Sequence, residues 1–322
     1  MSETSPAQKR PPPLLFGSAI AVMVACWSLN FIVGKVGLEH LSPLTLASFR
    51  VVLAGIIMAP IYFLLRPRST PARQRTSPST RREWRTFALL GLLGVVLNQV
   101  CFTVGLNYTT VGHSALIIGM GPILVLLLAC AQGLESLTAK KALGVTLAFG
   151  GVMVLAAEHD LSLRSGTLLG DLITFTGSFA FALYTVLGKK AAAVYDSVSM
   201  NAYNYLAGGI LVLPLAVYEA LRLGRAGGWA AVGWKGWAAL GYMAAFASVL
   251  AYLIYFWVLR HTTASRLGAL SYLHPVMTTL LGVVLLGEKL SRSLLLGGGL
   301  VLAGVALIES GPRENQREAN SL

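Results

Sequence analysis

The residues able to do chemistry in this chain are few, and most stand inside apolar runs. Arg50 lies two turns into one such run, and His274 precedes Pro275 in another. An ionisable group at membrane depth is costly, so each is a functional candidate. Arg50 has two readings: snorkelling toward the outer surface, or a bonded arginine that faces a cavity or ties helices together. His274 suits proton-responsive or hydrogen-bonding work, with a histidine merely satisfied in packing as the alternative. Trp27 and Asn30 stand three apart, as do Gln99 and Phe102, Phe181 and Tyr184, and Tyr252 and Tyr255. Residues three apart share a helix face, so these pairs describe four faces of rings and hydrogen-bonding groups. Tyr272 stands two residues before His274. The chemistry implied is recognition. Rings would take an apolar group, and amide, hydroxyl and imidazole a polar one.

The acidic residues, Glu135, Asp171, Asp196, Glu219 and Glu288 among them, fall in loops, tails or at run ends. A pump that exchanges protons for cations needs a carboxylate at mid-membrane, so a neutral or zwitterionic substrate fits better. The sequence has no GxSxG, no HExxH and no Asp/Glu/His cluster at metal spacing. Neither catalysis nor a metal or other cofactor is therefore expected. Cys26, Cys101 and Cys130 sit within apolar runs and read as small packing residues.

The elements that must position these groups are membrane helices. Of 322 residues, 55% are hydrophobic and 12% charged, against about 25% charged in a soluble domain. The net charge of +12 does not signal nucleic acid, because the basic residues flank apolar runs, most densely from Arg66 to Arg85. Ten runs approach the ~20 residues a span needs. They are Leu14–Gly37, Leu44–Leu65, Thr86–Leu106, Ser114–Ala131, Ala139–Ala157, Leu168–Leu187, Met200–Leu221, Trp237–Leu259, Leu267–Leu286 and Ser293–Ile308. The excess of Lys and Arg in the first half is expected to put the N-terminus and the 66–85 linker in the cytoplasm, and an even number of spans is expected to return the C-terminus to the same side.

The chain also aligns with itself. Gly34-Lys35 recurs as Gly188-Lys189, and Pro60 as Pro214, 154 residues on. Leu106, Thr109-Thr110, Pro122, Glu135 and Gly144 recur 153 residues on, as Leu259, Thr262-Thr263, Pro275, Glu288 and Gly297. Each unit holds five helices, so the second copy crosses the membrane in the opposite sense. Such inverted repeats are common in secondary transporters, whose sites lie near the midplane between the copies. In this register Gly119 and Gly121 correspond to Tyr272 and His274, so the cavity is expected to be asymmetric. Asn204 stands where Arg50 would recur. Thr138 and Ser291 each precede a run and are expected to cap it. Gly144/Ala148 and Gly299/Ala303 are expected to allow close helix packing within a monomer, a dimer contact being the alternative use.

The second half carries Leu259-Arg-His-Thr-Thr-Ala-Ser, then His274-Pro275, then Leu286-Gly-Glu-Lys-Leu290 and the glycines from Gly297 to Gly304. The first carries Ser42-Pro-Leu-Thr-Leu-Ala-Ser-Phe-Arg50. These strings resemble the EamA unit of the drug/metabolite transporter superfamily. Two such units cover 14–157 and 168–310, with the basic linker 66–85 inside the first. The resemblance implies an all-α polytopic protein of ten transmembrane helices in two inverted five-helix repeats. It further implies export of small metabolites across the cell's inner membrane by alternating access, past residues of the first, third and fourth helices of each half. Length and aromatic-rich helices are most similar to amino-acid exporters of the YddG type. The first half departs from the pattern at Leu134-Glu135-Ser136-Leu137, where the second has Gly287-Glu288-Lys289-Leu290. The expected partners are a small-molecule substrate and the bilayer. The competing substrates are a nucleotide sugar or a cationic drug, and the competing class is a membrane-embedded enzyme.

Overall fold

The computed structural model describes residues 11–65, 76–109, 114, 117–156, 168–225, 227–274, 276–277, 281 and 292–310. Pro275, Glu288, Ser291 and linker residues 66–75 lie outside them. The described residues are helical, without a β-sheet. In chain order the helices are α1 (Pro13–His40), α2 (Pro43–Leu65), α3 (Arg81–Tyr108), α4 (Ile117–Ala131) and α5 (Ala139–Ala156). There follow α6 (Leu168–Val194), α7 (Ser197–Arg225), α8 (Gly233–His261), α9 (Ala264–Ala269, extended by a 3-10 turn Leu270–Tyr272) and α10 (Arg292–Glu309). Among the described residues six, α1, α2, α3, α6, α7 and α8, are long and apolar enough to cross a bilayer. Helix α4 and the Leu295–Ile308 part of α10 are apolar but shorter.

Helix ends differ from hydropathy alone where capping decides them. Helix α3 begins at Arg81, not Thr86. Thr80 accepts from the Glu83 backbone N–H, and the Glu83 carboxylate receives the Thr80 N–H, a reciprocal capping box. The last residues of the expected linker are therefore helix. Helix α7 starts at Ser197 because the Asp196 carboxylate receives the N–H groups of Val198 and Ser199, both at 3.0 Å. Its counterpart 154 residues earlier, Ser42, takes the Thr45 N–H at 3.3 Å ahead of α2. Thr138 accepts the Lys141 N–H at 3.3 Å and caps α5.

The repeat register carries geometry. Lys35 leaves α1 and donates to the carbonyls of Leu106 (2.5 Å) and Thr109 (3.0 Å) at the end of α3. Lys189 leaves α6 and donates to Leu259 (2.6 Å) and Thr262 at the end of α8. Each lysine thus holds helix-terminal carbonyls that lack an intrahelical partner. Helices α3 and α8 widen into π turns at corresponding places, Gly91–Leu97 and Met243–Leu250. Pro60 and Pro214 lie inside α2 and α7. Packing follows the same exchange: α2 on α7, α5 on α10, α4 on α9, and α1 on α8 as α6 on α3.

Helices α5 and α10 pack tightly through small residues. A Cβ on Gly151 would stand 2.5 Å from the Gly297 carbonyl oxygen, and one on Gly304 2.5 Å from the Ala148 nitrogen. The contact is within the chain, as expected, but on α10 it uses Gly297, Val301 and Gly304. Gly299 meets open space and Ala303 is exposed. Two residues along a helix turn a side chain by about 200°, so Gly299 faces away from the seam that Gly297 forms.

Candidate functional site

An open cavity lies among α1, α2, α3, α4, α6, α8 and the α9 segment. Its ring wall is Trp27, Phe31, Phe102, Phe181 and Tyr252, and its polar lining is Asn30, Arg50, Asn98, Gln99, Ser178, Ser271 and His274. Trp27 is the hub. Its ring centroid lies 5.4 Å from Tyr252, 5.7 Å from Tyr255, 5.8 Å from His274 and 6.0 Å from Phe181. Such edge-on and tilted pairs are favourable ring geometries. The indole N–H donates to the Ala247 carbonyl at 2.9 Å, inside the π turn of α8. A π turn departs from the α-helical bonding ladder and recurs at functional sites.

Arg50 is buried, with 3% of its surface exposed, and it is bonded. Its Nε donates to Ser248 Oγ at 2.8 Å, and Ser248 donates to Gln99 Oε1 at 3.1 Å. Gln99 Nε2 donates to the Tyr205 hydroxyl at 2.7 Å. The row joins α2, α8, α3 and α7, and it excludes snorkelling. Beside it the Tyr252 hydroxyl donates to Asn98 Oδ1 at 3.1 Å, and Asn98 Nδ2 donates to the Gly177 carbonyl at 3.2 Å. Among the described residues, three polar groups near the lining are buried without a partner: Asn30 Oδ1, both ring nitrogens of His274, and the Tyr272 hydroxyl.

The structure thus brings Trp27, Asn30, Arg50, Gln99, Phe102, Phe181, Tyr252 and His274 to one cavity. Tyr255 lines a smaller adjoining one with Trp27, Phe181 and His274, and its hydroxyl donates to Thr185 at 2.6 Å. Tyr184 and Tyr272 line neither. Tyr184 is fully buried behind the wall, stacked on Tyr255 at 6.2 Å, with Asn204 Nδ2 donating to its hydroxyl at 3.2 Å. Tyr272 is fully buried in the turn after α9. Gly121 and His274 both reach the cavity, so one repeat offers space where the other offers a ring. Sequence reasoning missed Phe31, Asn98, Ser178, Ser271 and the bridging Ser248. Single polar residues within apolar runs were the available signal for all of these but Phe31.

No carboxylate lines the cavity among the described residues. The buried acids are engaged elsewhere. Glu135 pairs with Lys141 at 2.9 Å and accepts the Ser265 N–H at 3.0 Å. Glu219 pairs with Arg222 at 2.9 Å and accepts from Thr45 at 2.5 Å. Among the described residues no group of three or more His, Cys, Asp or Glu side chains is placed to hold a metal.

Comparison with known proteins adds a lineage to this geometry. The signature of the EamA-like transporter family matches residues 15–157 and again 168–310. An "Uncharacterized transporter" of Archaeoglobus fulgidus is 29% identical over 289 residues, 89% of this chain and 95% of the other. The "Uncharacterized inner membrane transporter YedA" of Escherichia coli K12 is 26% identical over 92% of this chain and 91% of its own. A crystal structure at 17% identity shares the fold, with a TM-score of 0.69 over 92% of this chain and 96% of the other. Bilayer-length helices around a central cavity, under a signature that covers the chain twice, place this protein in the EamA-like transporter family as a multi-pass membrane transporter.

Proposed function

We propose that this transporter exports amino acids, aromatic ones among them, or similar small metabolites by alternating access through the central cavity. The observation that carries the reading is the lining: five aromatic rings beside amide, hydroxyl and imidazole groups, with no carboxylate among the described residues. Rings take an apolar side chain, and the polar groups orient its hydrophilic end. A cationic drug would meet Arg50 without an acidic partner, which disfavours that alternative. In the same reading the chain has ten spans in two inverted units, sits in the inner membrane and keeps both termini in the cytoplasm. It works as a monomer, and no cofactor or chemical conversion is required.

The test is flux of labelled compounds into liposomes holding the purified protein, across amino acids, nucleotide sugars and cationic drugs. Amino acids should be carried, driven by their own gradient, and recovered unchanged. Transport of a nucleotide sugar or a cation with no amino acid carried would overturn the reading. So would chemical conversion of the substrate.

A further inference from the structure

We propose that Arg50 is the receptor for a carboxylate of the substrate, and that Asn30 and His274 receive the substrate's ammonium group. The inference rests on the reading above and deepens it by naming the groups that receive the substrate's two charged substituents.

A buried cation is unfavourable by several kcal/mol unless it is paired and hydrogen-bonded. Arg50 is 3% exposed, yet among the described residues it pairs with no carboxylate. A guanidinium has five N–H donors. One, on Nε, goes to Ser248; the four on the terminal nitrogens have no acceptor among the described residues. Those four form the planar fork that matches a carboxylate bidentately. Ser248, Gln99 and Tyr205 are neutral, so their hydrogen-bonded row orients the guanidinium without cancelling its charge. Arg50 also lines the cavity. Its unmatched charge therefore lies where a substrate can reach it.

The opposite pole is present in the same lining. Asn30 Oδ1 and the two ring nitrogens of His274 are buried without partners among the described residues. An amide oxygen accepts, and so does one nitrogen of a neutral imidazole. These acceptors suit an ammonium N–H and are costly to leave unmatched. The Trp27 ring stands against His274, and Phe181 and Tyr252 stand against Trp27. The constellation fits a zwitterionic amino acid with an apolar side chain.

The experiment compares phenylalanine with two relatives in liposomes: phenylalaninamide, which lacks the carboxylate, and 3-phenylpropionate, which lacks the ammonium. With wild-type protein each relative should be carried about tenfold to a hundredfold less efficiently than phenylalanine. Arg50→Gln should lose phenylalanine transport selectively, bringing acid and amide within about threefold of each other. Arg50→Lys keeps the charge without the fork and should fall between. Should Arg50→Gln fail to insert, the wild-type comparison decides. Equal transport of phenylalanine and its amide overturns the carboxylate assignment while amino-acid transport stands. Transport of phenylpropionate but not phenylalanine, lost in Arg50→Gln, overturns the amino-acid reading and the ammonium site but supports Arg50. Transport of none of the three overturns both.

Discussion

Gln99→Glu tests the electrostatics of the cavity with almost no change of shape. The two bonds through Ser248 are 2.8 and 3.1 Å long. They put Arg50 Nε no more than about 6 Å from the oxygen at position 99, where opposite unit charges gain about 3 kcal/mol at an effective dielectric constant of ~20. Ser248 would still donate to that oxygen, and the Tyr205 hydroxyl would donate to the other, so the hydrogen bonds survive with one direction reversed. The new carboxylate would supply Arg50 with the counter-charge that no described residue of the wild type provides. A substrate carboxylate would then approach a neutralised pair, and the lost attraction corresponds to about a hundredfold in affinity. The assay is the concentration dependence of phenylalanine flux in liposomes, alongside thermal unfolding in detergent. KM should rise about a hundredfold, with the unfolding temperature unchanged or higher. An unaltered KM in a normally inserted Gln99→Glu protein would refute the reasoning, because the charge of Arg50 would then not act on the substrate.

Gly304→Ala should destabilise the protein by about 1–3 kcal/mol, since its Cβ would meet backbone atoms of Ala148 and Gly144 at 2.5 Å. Gly299→Ala, which meets open space, should be neutral or stabilising by up to about 1 kcal/mol. Equal shifts of the two unfolding temperatures would contradict the α5–α10 seam. Lys189→Met frees the Leu259 and Thr262 carbonyls at the end of α8 and should cost about 1–3 kcal/mol, as should Lys35→Met at the end of α3; hydrogen exchange should rise at those helix ends and not at α5. Ser77 is exposed ahead of α3, so Ser77→Cys in a protein without its native cysteines should react in intact cells with a permeant reagent only. Labelling by an impermeant reagent would reverse the assigned orientation.

Much of the fold was legible because hydropathy and the 153–154-residue register report separate things. Hydropathy located the helices, and the register located equivalent positions. The paired lysines, the paired N-caps and the α5–α10 glycines all obey that register. Capping was less visible. Thr80 and Glu83 spell a capping box, but they sit in a basic stretch whose polarity masked the start of α3. The site was legible as a set of polar and aromatic residues in apolar runs, not as a surface. Spacing of three places residues on one helix face, yet a face is broad enough for Phe181 to line the cavity while Tyr184 supports it from behind. Asn98 joined Gln99 in the lining, just past the π turn of α3. A π turn shifts the angular register, and a 3.6-residue period does not foresee it. Ser248, which orients Arg50, lies within the matching turn of α8.

The central claim is that the substrate sits in this cavity, and protection of a cavity cysteine tests it most directly. Ser271 lines the cavity beside His274. Ser271→Cys, in a protein with Cys26, Cys101 and Cys130 replaced, would be alkylated in liposomes with and without a transported amino acid. At ten times the half-saturating concentration the reaction should slow about tenfold, by occupancy alone. An alkylation rate unchanged at a concentration that saturates flux would contradict the account, because the path of the substrate would then lie elsewhere.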